Sequence, residues 1–130
     1  MSKMLLSIHH VAIICSDYEK SKMFYSEILG FQILRETFRE ARRSYKLDLQ
    51  VNSSVQIELF SFPNSPPRPS YPEACGLRHL AFAVENLEIA IDHLRFHGVE
   101  TEGIRIDEFT QKRFTFFQDP DGLPLEIYEM

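Results

Sequence analysis

Two histidine–glutamate pairs recur at nearly the same spacing along this chain of 130 residues. His10 and His79 are 69 residues apart, and Glu58 and Glu126 are 68 residues apart. Imidazole nitrogens and carboxylate oxygens are ligands of divalent first-row metals, and a carboxylate can also accept and return a proton. If folding brings these side chains together, they form a site that combines Lewis-acid chemistry with proton transfer.

The segments around the two histidines are themselves similar. Residues 10–15 read HVAIIC and residues 79–84 read HLAFAV, which are short apolar runs typical of strands. An amphipathic helix is predicted after each strand, between a capping residue and a glycine that can adopt a positive φ. The capping residues and glycines are Ser16 and Gly30 in the first half, and Asn86 and Gly98 in the second.

Three further strands are predicted after each helix. They cover residues 31–39, 44–51 and 55–60 in the first half, and 101–106, 113–117 and 125–128 in the second. Residues 63–72 contain five prolines, which predicts a stiff connector that joins no sheet. The predicted fold is α+β, a single domain 1–130 with two βαβββ modules, 8–62 and 77–130. Because neither module can cover both faces of its sheet, we expect one curved, barrel-like mixed sheet with the helices outside.

Strand alternation predicts that all four candidate ligands lie on the sheet faces that point away from the helices. His10 and His79 alternate with apolar residues that face the helix, and small alanines beside them leave room for a ligand. Glu58 and Glu126 alternate with apolar residues in the same way. A single strand histidine or glutamate is more often a solvated or hydrogen-bonded residue, but its repetition favours a metal site.

The sequence resembles the vicinal oxygen chelate superfamily, which includes glyoxalase I, extradiol dioxygenases and bleomycin- or fosfomycin-resistance proteins. The stretches that carry the resemblance are IHHVAII (8–14), FYSEILGF (24–31), IEL (57–59), LRHLAF (77–82) and DPDGLPLE (119–126). It is most similar to a short bacterial glyoxalase I-like subgroup that shares TQKRFTFF (110–117). The resemblance implies that His10, Glu58, His79 and Glu126 bind the metal, and that His9 points into the helix-side core.

The activity that the resemblance implies is that of a metal-dependent lyase or isomerase similar to lactoylglutathione lyase. One divalent ion, which could be Ni, Zn, Co, Mn or Fe, would hold two adjacent oxygens of a hemithioacetal-like or 2-oxo substrate. Glu58 or Glu126 would then move a proton through a metal-stabilised enediolate. In glyoxalase I the substrate is the adduct of methylglyoxal with a thiol, so a thiol such as glutathione is the implied cosubstrate.

Two alternatives from other functional classes remain open at this stage. An extradiol-type dioxygenase would use iron, oxygen and only two histidines and one glutamate, so Glu58 as a fourth ligand favours the glyoxalase type. A resistance-type protein that only binds a small molecule would lack the metal ligands, and all four ligand types are present here.

Other polar and aromatic residues give weaker signals for substrate binding. Lys112 and Arg113 precede a predicted strand and could bind an acidic group of the substrate, although a solvated strand start explains them equally well. Phe60 and Tyr128 are the best candidates for pocket walls.

Charge and hydropathy limit the partners that we expect. Fourteen basic and nineteen acidic side chains give a net charge of −5, which argues against nucleic acid or an anionic membrane as the main partner. No apolar run approaches the roughly 18 residues of a membrane span, and the N-terminus has no signal-peptide pattern, so a cytoplasmic protein is expected. A homodimer is also expected, because each open sheet needs cover for its concave face.

Overall fold

A computed structural model describes residues 3–130, which divide into two compact units at the boundary between Pro66 and Pro67. This boundary lies inside the predicted proline-rich connector. Each unit contains one βαβββ module with a four-stranded mixed sheet, so the predicted α+β fold class is confirmed. No helix within residues 3–130 has the length and apolar character required to cross a membrane.

The first unit contains four strands and one helix that ends in a π-helical turn. Its elements are β1 (His10–Cys15), α1 (Tyr18–Met23), the π-helical turn (Phe24–Ile28), β2 (Gln32–Arg39), a 3-10 turn (Glu40–Arg42), β3 (Ser44–Gln50) and β4 (Gln56–Ser61). The strand order is β1-β4-β3-β2. The first strand pairs in parallel with β4, and the other neighbours are antiparallel.

The second unit repeats this arrangement. Its elements are β5 (Leu80–Val84), α2 (Leu87–Phe96), β6 (Arg105–Ile106), β7 (Arg113–Gln118) and β8 (Pro124–Glu129). The strand order is β5-β8-β7-β6, again with the first and last strands parallel. The two sheets therefore have the same topology, in agreement with the repeat in the sequence.

Strand β6 is shorter than the predicted strand over residues 101–106. The Thr115 hydroxyl lies 2.9 Å from the carbonyl oxygen of Glu102 and 3.2 Å from that of Gly103. A side chain therefore satisfies backbone acceptors that a longer β6 would offer to β7. Regular pairing is limited to Arg105 and Ile106.

The helix ends agree with the prediction except at one cap. Asn86 caps α2 as predicted, because its Oδ1 accepts a hydrogen bond from the backbone N–H of Ile89 at 3.0 Å. The predicted Ser16 cap of α1 is wrong, because Asp17 accepts the equivalent bond from Lys20 at 3.2 Å. Serine and aspartate are equally good N-caps, so adjacent candidates cannot be separated by type.

The core of each unit lies between its helix and one face of its sheet. In the first unit the fully buried aliphatic side chains come from alternate positions of the central strands: Leu47, Leu49, Ile57 and Leu59. In the second unit the buried side chains come from α2 and from the two central strands: Leu87, Ile91, Leu94, Phe117, Leu125 and Ile127. The opposite face of each sheet carries Glu58 in the first unit and Glu126 in the second.

A network of ion pairs joins β7 and β8 to the N-terminus of α2. The Arg113 guanidinium donates to both carboxylate oxygens of Glu88, at 2.5 and 2.8 Å, and to both of Glu129, at 3.0 and 2.9 Å. Glu129 also accepts from the backbone N–H of Leu87 at 2.9 Å. These hydrogen bonds lower the pKa of Glu88 and of Glu129 and raise the pKa of Arg113.

Replacing Arg113 by methionine is expected to lower the Tm most at neutral pH. Because the folded-state pKa values of Glu88 and Glu129 lie below the ordinary 4.5, their stabilisation is complete above that value and is lost as the pH falls through the folded-state values. The Tm difference between wild type and Arg113→Met should therefore shrink between about pH 7 and about pH 3.

Thermal denaturation monitored by circular dichroism measures this difference. Arg95→Met, which removes an exposed arginine from α2, is the matched control and should show little change at any pH. A Tm difference for Arg113→Met that is independent of pH would contradict the electrostatic role.

Candidate metal centre

The first half-site consists of His10 on β1 and Glu58 on β4. The parallel register places Gln56 beside His10 and Glu58 beside Ala12, so the histidine and glutamate are two positions apart on the same sheet face. His10 Nε2 lies 3.6 Å from Glu58 Oε2. The histidine side chain is 42% exposed and the glutamate 15%, so the pair is accessible to a ligand.

The second half-site consists of His79, directly before β5, and Glu126 on β8. Glu126 lies beside Ala81, which repeats the relation between Glu58 and Ala12. His79 Nε2 lies 3.0 Å from Glu126 Oε1, with the two side chains 30% and 12% exposed. Both units therefore present one histidine and one glutamate at the same strand register.

Each half-site supplies two ligand-type side chains. Within residues 3–130 the structure contains no group of three or more His, Cys, Asp or Glu side chains that could hold a metal ion. The predicted site with four ligands, His10, Glu58, His79 and Glu126, therefore stays a prediction.

The donor atoms of each half-site fit a divalent metal. Two ligands about 2.1 Å from one ion are about 3.0 Å apart at right angles and about 3.4 Å apart in a tetrahedral arrangement. The distance from the histidine Nε2 to the nearest glutamate oxygen is 3.0 Å in the second half-site and 3.6 Å in the first. One imidazole nitrogen and one carboxylate oxygen at these distances suit zinc, nickel, cobalt, manganese or iron.

Charged side chains from β3 surround the first half-site. Lys46 Nζ lies 3.0 Å from Asp48 Oδ1 and 3.8 Å from Glu58 Oε2. Asp48 is buried directly opposite Glu58 in the antiparallel register, and Arg35 approaches it at 3.4 Å. Lys46 and Asp48 were not predicted as site residues, although their alternation with the buried Leu47 and Leu49 indicates that they share a face with Glu58.

One aromatic side chain borders the second half-site instead. Phe116 on β7 lies opposite Glu126, at the position that Asp48 occupies in the first unit. The His79 ring meets the Phe116 ring edge to face, with centroids 5.1 Å apart. Arg105 also lies over the Phe116 ring, at 5.3 Å. The half-sites thus share their ligands but differ in the polarity of what surrounds them.

Histidine 9 does not enter the core, so that expectation is wrong. It is exposed, and its Nδ1 lies 3.0 Å from Nδ1 of His10. Every second residue from His9, directly before β1, is progressively more buried, from exposed His9 through half-buried Val11 to buried Ile13 and Cys15. The start of the strand therefore extends beyond the region that the core covers.

Phe60 and Tyr128, the predicted pocket walls, each contact side chains of their own unit. Phe60 stacks on Phe62 with parallel rings 6.0 Å apart, and Arg39 lies over Phe60 at 5.2 Å. The Tyr128 hydroxyl is hydrogen-bonded to Thr110 and donates to Asp107 Oδ2 at 3.1 Å. Tyr128 therefore holds the loop between β6 and β7 in place.

The two basic residues at the start of β7, Lys112 and Arg113, differ in their environments. Lys112 is exposed to solvent. The donors of Arg113 are engaged with Glu88 and Glu129 in the network described above, where they serve the fold.

A cavity of about 350 Å³ lies within the second unit, next to His79. Six residues between positions 68 and 74, in and directly after the connector, form one wall, and Phe116 and Pro124 contribute to the other. The sequence predicted the connector only as a stiff spacer. Its proline spacing gave no indication that it lines a cavity.

Comparison with known proteins identifies the family. The sequence profile of the Glyoxalase/Bleomycin resistance protein/Dioxygenase superfamily matches residues 7–127. The chain belongs to this superfamily. The recognised resemblance is thereby confirmed, and it covers nearly the whole chain.

Three similar proteins match along nearly their whole length. The chain is 64% identical to the uncharacterized protein YwkD of Bacillus subtilis (strain 168), over 97% of this chain and 98% of YwkD. It is 61% identical to the uncharacterized protein YaeR of Escherichia coli (strain K12), over 96% and 97%. The crystal structure of a glyoxalase family protein from Enterococcus faecalis has 54% identity and a TM-score of 0.88, over 95% and 97%.

More distant relatives differ in the activities for which they are named. Glyoxylase I 4 of Arabidopsis thaliana is 28% identical over 95% of this chain and 70% of that protein. The metallothiol transferase FosB of Staphylococcus saprophyticus is 31% identical over 96% of this chain and 78% of that protein. Family membership therefore establishes the fold, and the reaction must be argued from the site.

Proposed function

We propose that this protein is a metal-dependent lyase or isomerase of the glyoxalase I type. It would move a proton between adjacent carbons of a hemithioacetal-like or 2-oxo substrate. The observation that supports this most is the histidine–glutamate pair that recurs at one strand register in both units, at 3.6 and 3.0 Å. The two half-sites would combine, within one chain or across a dimer, into a centre of two imidazoles and two carboxylates.

The number of carboxylates is what favours proton transfer among the chemistries of this superfamily. With Glu58 and Glu126 both present, one carboxylate can remain a ligand while the other accepts a proton. A site with two histidines and one glutamate, as expected for an extradiol dioxygenase, would leave Glu58 without a role. The same comparison separates the proposal from simple ligand binding, which needs neither pair.

Each ligand residue has a defined task in this proposal. His10 and His79 would hold the ion through Nε2, the ring atom that faces the carboxylate in each half-site. A bound divalent ion supplies Lewis acidity toward two adjacent substrate oxygens. Glu58 or Glu126 would take the proton from one carbon on a carboxylate oxygen and return it to the neighbouring carbon. Since the same group removes and returns the proton, the reaction is an isomerisation that requires no external acid.

Loss of a single ligand is expected to weaken metal binding. Wild-type protein loaded with cobalt or nickel should retain about one ion per site after dialysis. His79→Ala and Glu126→Ala should each lower the affinity by roughly 10-fold or more, because changing even the partners of metal ligands costs about 10–100-fold. Elemental analysis and the cobalt absorption spectrum measure this.

His93→Ala is the matched control, because this histidine is exposed on α2 and should leave loading unchanged. If both ligand variants retain the wild-type ion content and affinity, the proposed centre is wrong.

Glutamine variants are expected to lower turnover strongly while the protein still binds metal. With methylglyoxal and glutathione, or another low-molecular-weight thiol, the metal-loaded wild type should form a thioester. Replacing the carboxylate that moves the proton, in Glu58→Gln or Glu126→Gln, should lower kcat by about 10²-fold or more. Glu100→Gln, an exposed glutamate after α2, is the control and should retain full activity.

Two results of this assay would contradict the lyase proposal. One is oxygen uptake with catechols after iron loading, without turnover of any thiol adduct, which would indicate a dioxygenase. The other is tight binding of a small molecule without turnover in either assay, which would indicate a binding protein.

A homodimer is part of the same proposal. Large apolar side chains are exposed on sheet strands of both units, among them Phe38 at 49% and Ile106 at 61%. Such surfaces are common at protein–protein interfaces. Light scattering at micromolar concentration should give twice the chain mass of 15.2 kDa. A mass equal to one chain would rule the dimer out under these conditions.

A further inference from the structure

The cavity in the second unit carries more positive than negative charge. Three arginines and two glutamates line it, in a chain whose net charge is −5. The lining cations are Arg68, Arg78 and Arg105. A concave site with excess positive charge concentrates anions, because the surrounding protein weakens solvent screening.

Two of these arginines are already committed to the fold. Arg68 donates to the Ser70 hydroxyl at 2.9 Å and to the carbonyl oxygens of Leu77 and Arg78 at 2.9 and 3.0 Å. Arg105 donates to Glu102 at 2.6 Å and lies over the Phe116 ring. The hydrogen bonds of Arg68 also attach the connector to the segment before β5, which fixes the backbone of Arg78.

The Arg78 guanidinium, unlike those of Arg68 and Arg105, is not committed to the fold. Across residues 3–130 the structure gives this side chain no ion pair and no hydrogen bond, although its backbone is held by Arg68. A guanidinium offers a planar fork of N–H donors that matches two oxygens of a carboxylate or a phosphate. Because the Ser70 hydroxyl accepts from Arg68, its own O–H can also donate into the cavity.

We propose that this cavity is a subsite for the oxyanion group of a small substrate, with Arg78 as the binding residue. The cavity volume of about 350 Å³ is at the small end of ligand pockets and suits a small metabolite better than a bulky antibiotic. Because His79 lines the same cavity, an anion on Arg78 is held beside the second half-site. The subsite implies a substrate class, namely anionic 2-oxo compounds or thiol adducts. This choice of class rests on the proposed function.

The subsite can be tested without metal and without turnover. Protein passed over a chelating resin is titrated by calorimetry with pyruvate, with inorganic phosphate and with the uncharged analogue hydroxyacetone. Pyruvate or phosphate should bind, and hydroxyacetone should not. Stronger binding of pyruvate assigns a carboxylate to the subsite, and stronger binding of phosphate assigns a phosphate. The titrations are then repeated with metal-loaded protein.

Arg78→Met should weaken binding of the preferred anion by about 10-fold or more, as expected when hydrogen bonds to a charged group are lost. Arg78→Lys keeps the charge but not the fork, and should bind with intermediate affinity. Arg95→Met, an exposed arginine on α2, should bind like wild type. Circular dichroism checks that each variant is folded.

Equal affinity in wild type and Arg78→Met, or equal binding of hydroxyacetone and pyruvate, would overturn the subsite. Because these titrations do not depend on metal or catalysis, they can fail while the lyase assay succeeds. Anion binding that depends on Arg78 in a protein without lyase activity would instead retain the subsite and reject the reaction.

Discussion

In both units the first strand pairs in parallel with the last, and this pairing determines where the ligand residues lie. On β1 and β4 it sets Ala12 beside Glu58, with His10 two positions earlier on the same face. On β5 and β8 it sets Ala81 beside Glu126 in the same way. The alanines matter because a larger side chain beside each glutamate would crowd the sheet face on which imidazole and carboxylate meet. The candidate chemistry therefore follows from strand register, before any loop is considered.

The register is held by the core rather than by the site. Ile57 and Leu59 flank Glu58 and are fully buried against the helix side of the sheet. A slip of one residue would bury the glutamate and expose both aliphatic side chains, each of which contributes about 1.5–3 kcal/mol when buried. Burial of an unpaired carboxylate would add a further penalty. The apolar alternation thus keeps the polar pair on the open face, where it can bind a ligand.

Strand alternation is also why much of the candidate site could be predicted from the sequence. It assigned Glu58 and Glu126 to the open faces correctly because one face of each strand is buried, and the burial pattern follows that alternation. Two other expectations failed: that of a core position for His9, which lies beyond the covered part of the sheet, and that of a longer β6, where the Thr115 side chain satisfies the backbone instead of a strand partner. Both errors occur where packing, rather than local pattern, decides the outcome.

The residues around the two histidine–glutamate pairs are not repeated between the units. Asp48 and Phe116 occupy the same register position opposite their glutamates, yet one is a buried carboxylate near a lysine and the other an aromatic ring against a histidine. Residues that must be the same in both units can be found from the sequence repeat. Residues that distinguish one side of a substrate from the other must differ between the units, so periodicity cannot find them. Recognition by Arg78 and the connector is of this second kind, and it becomes visible only when the cavity is formed.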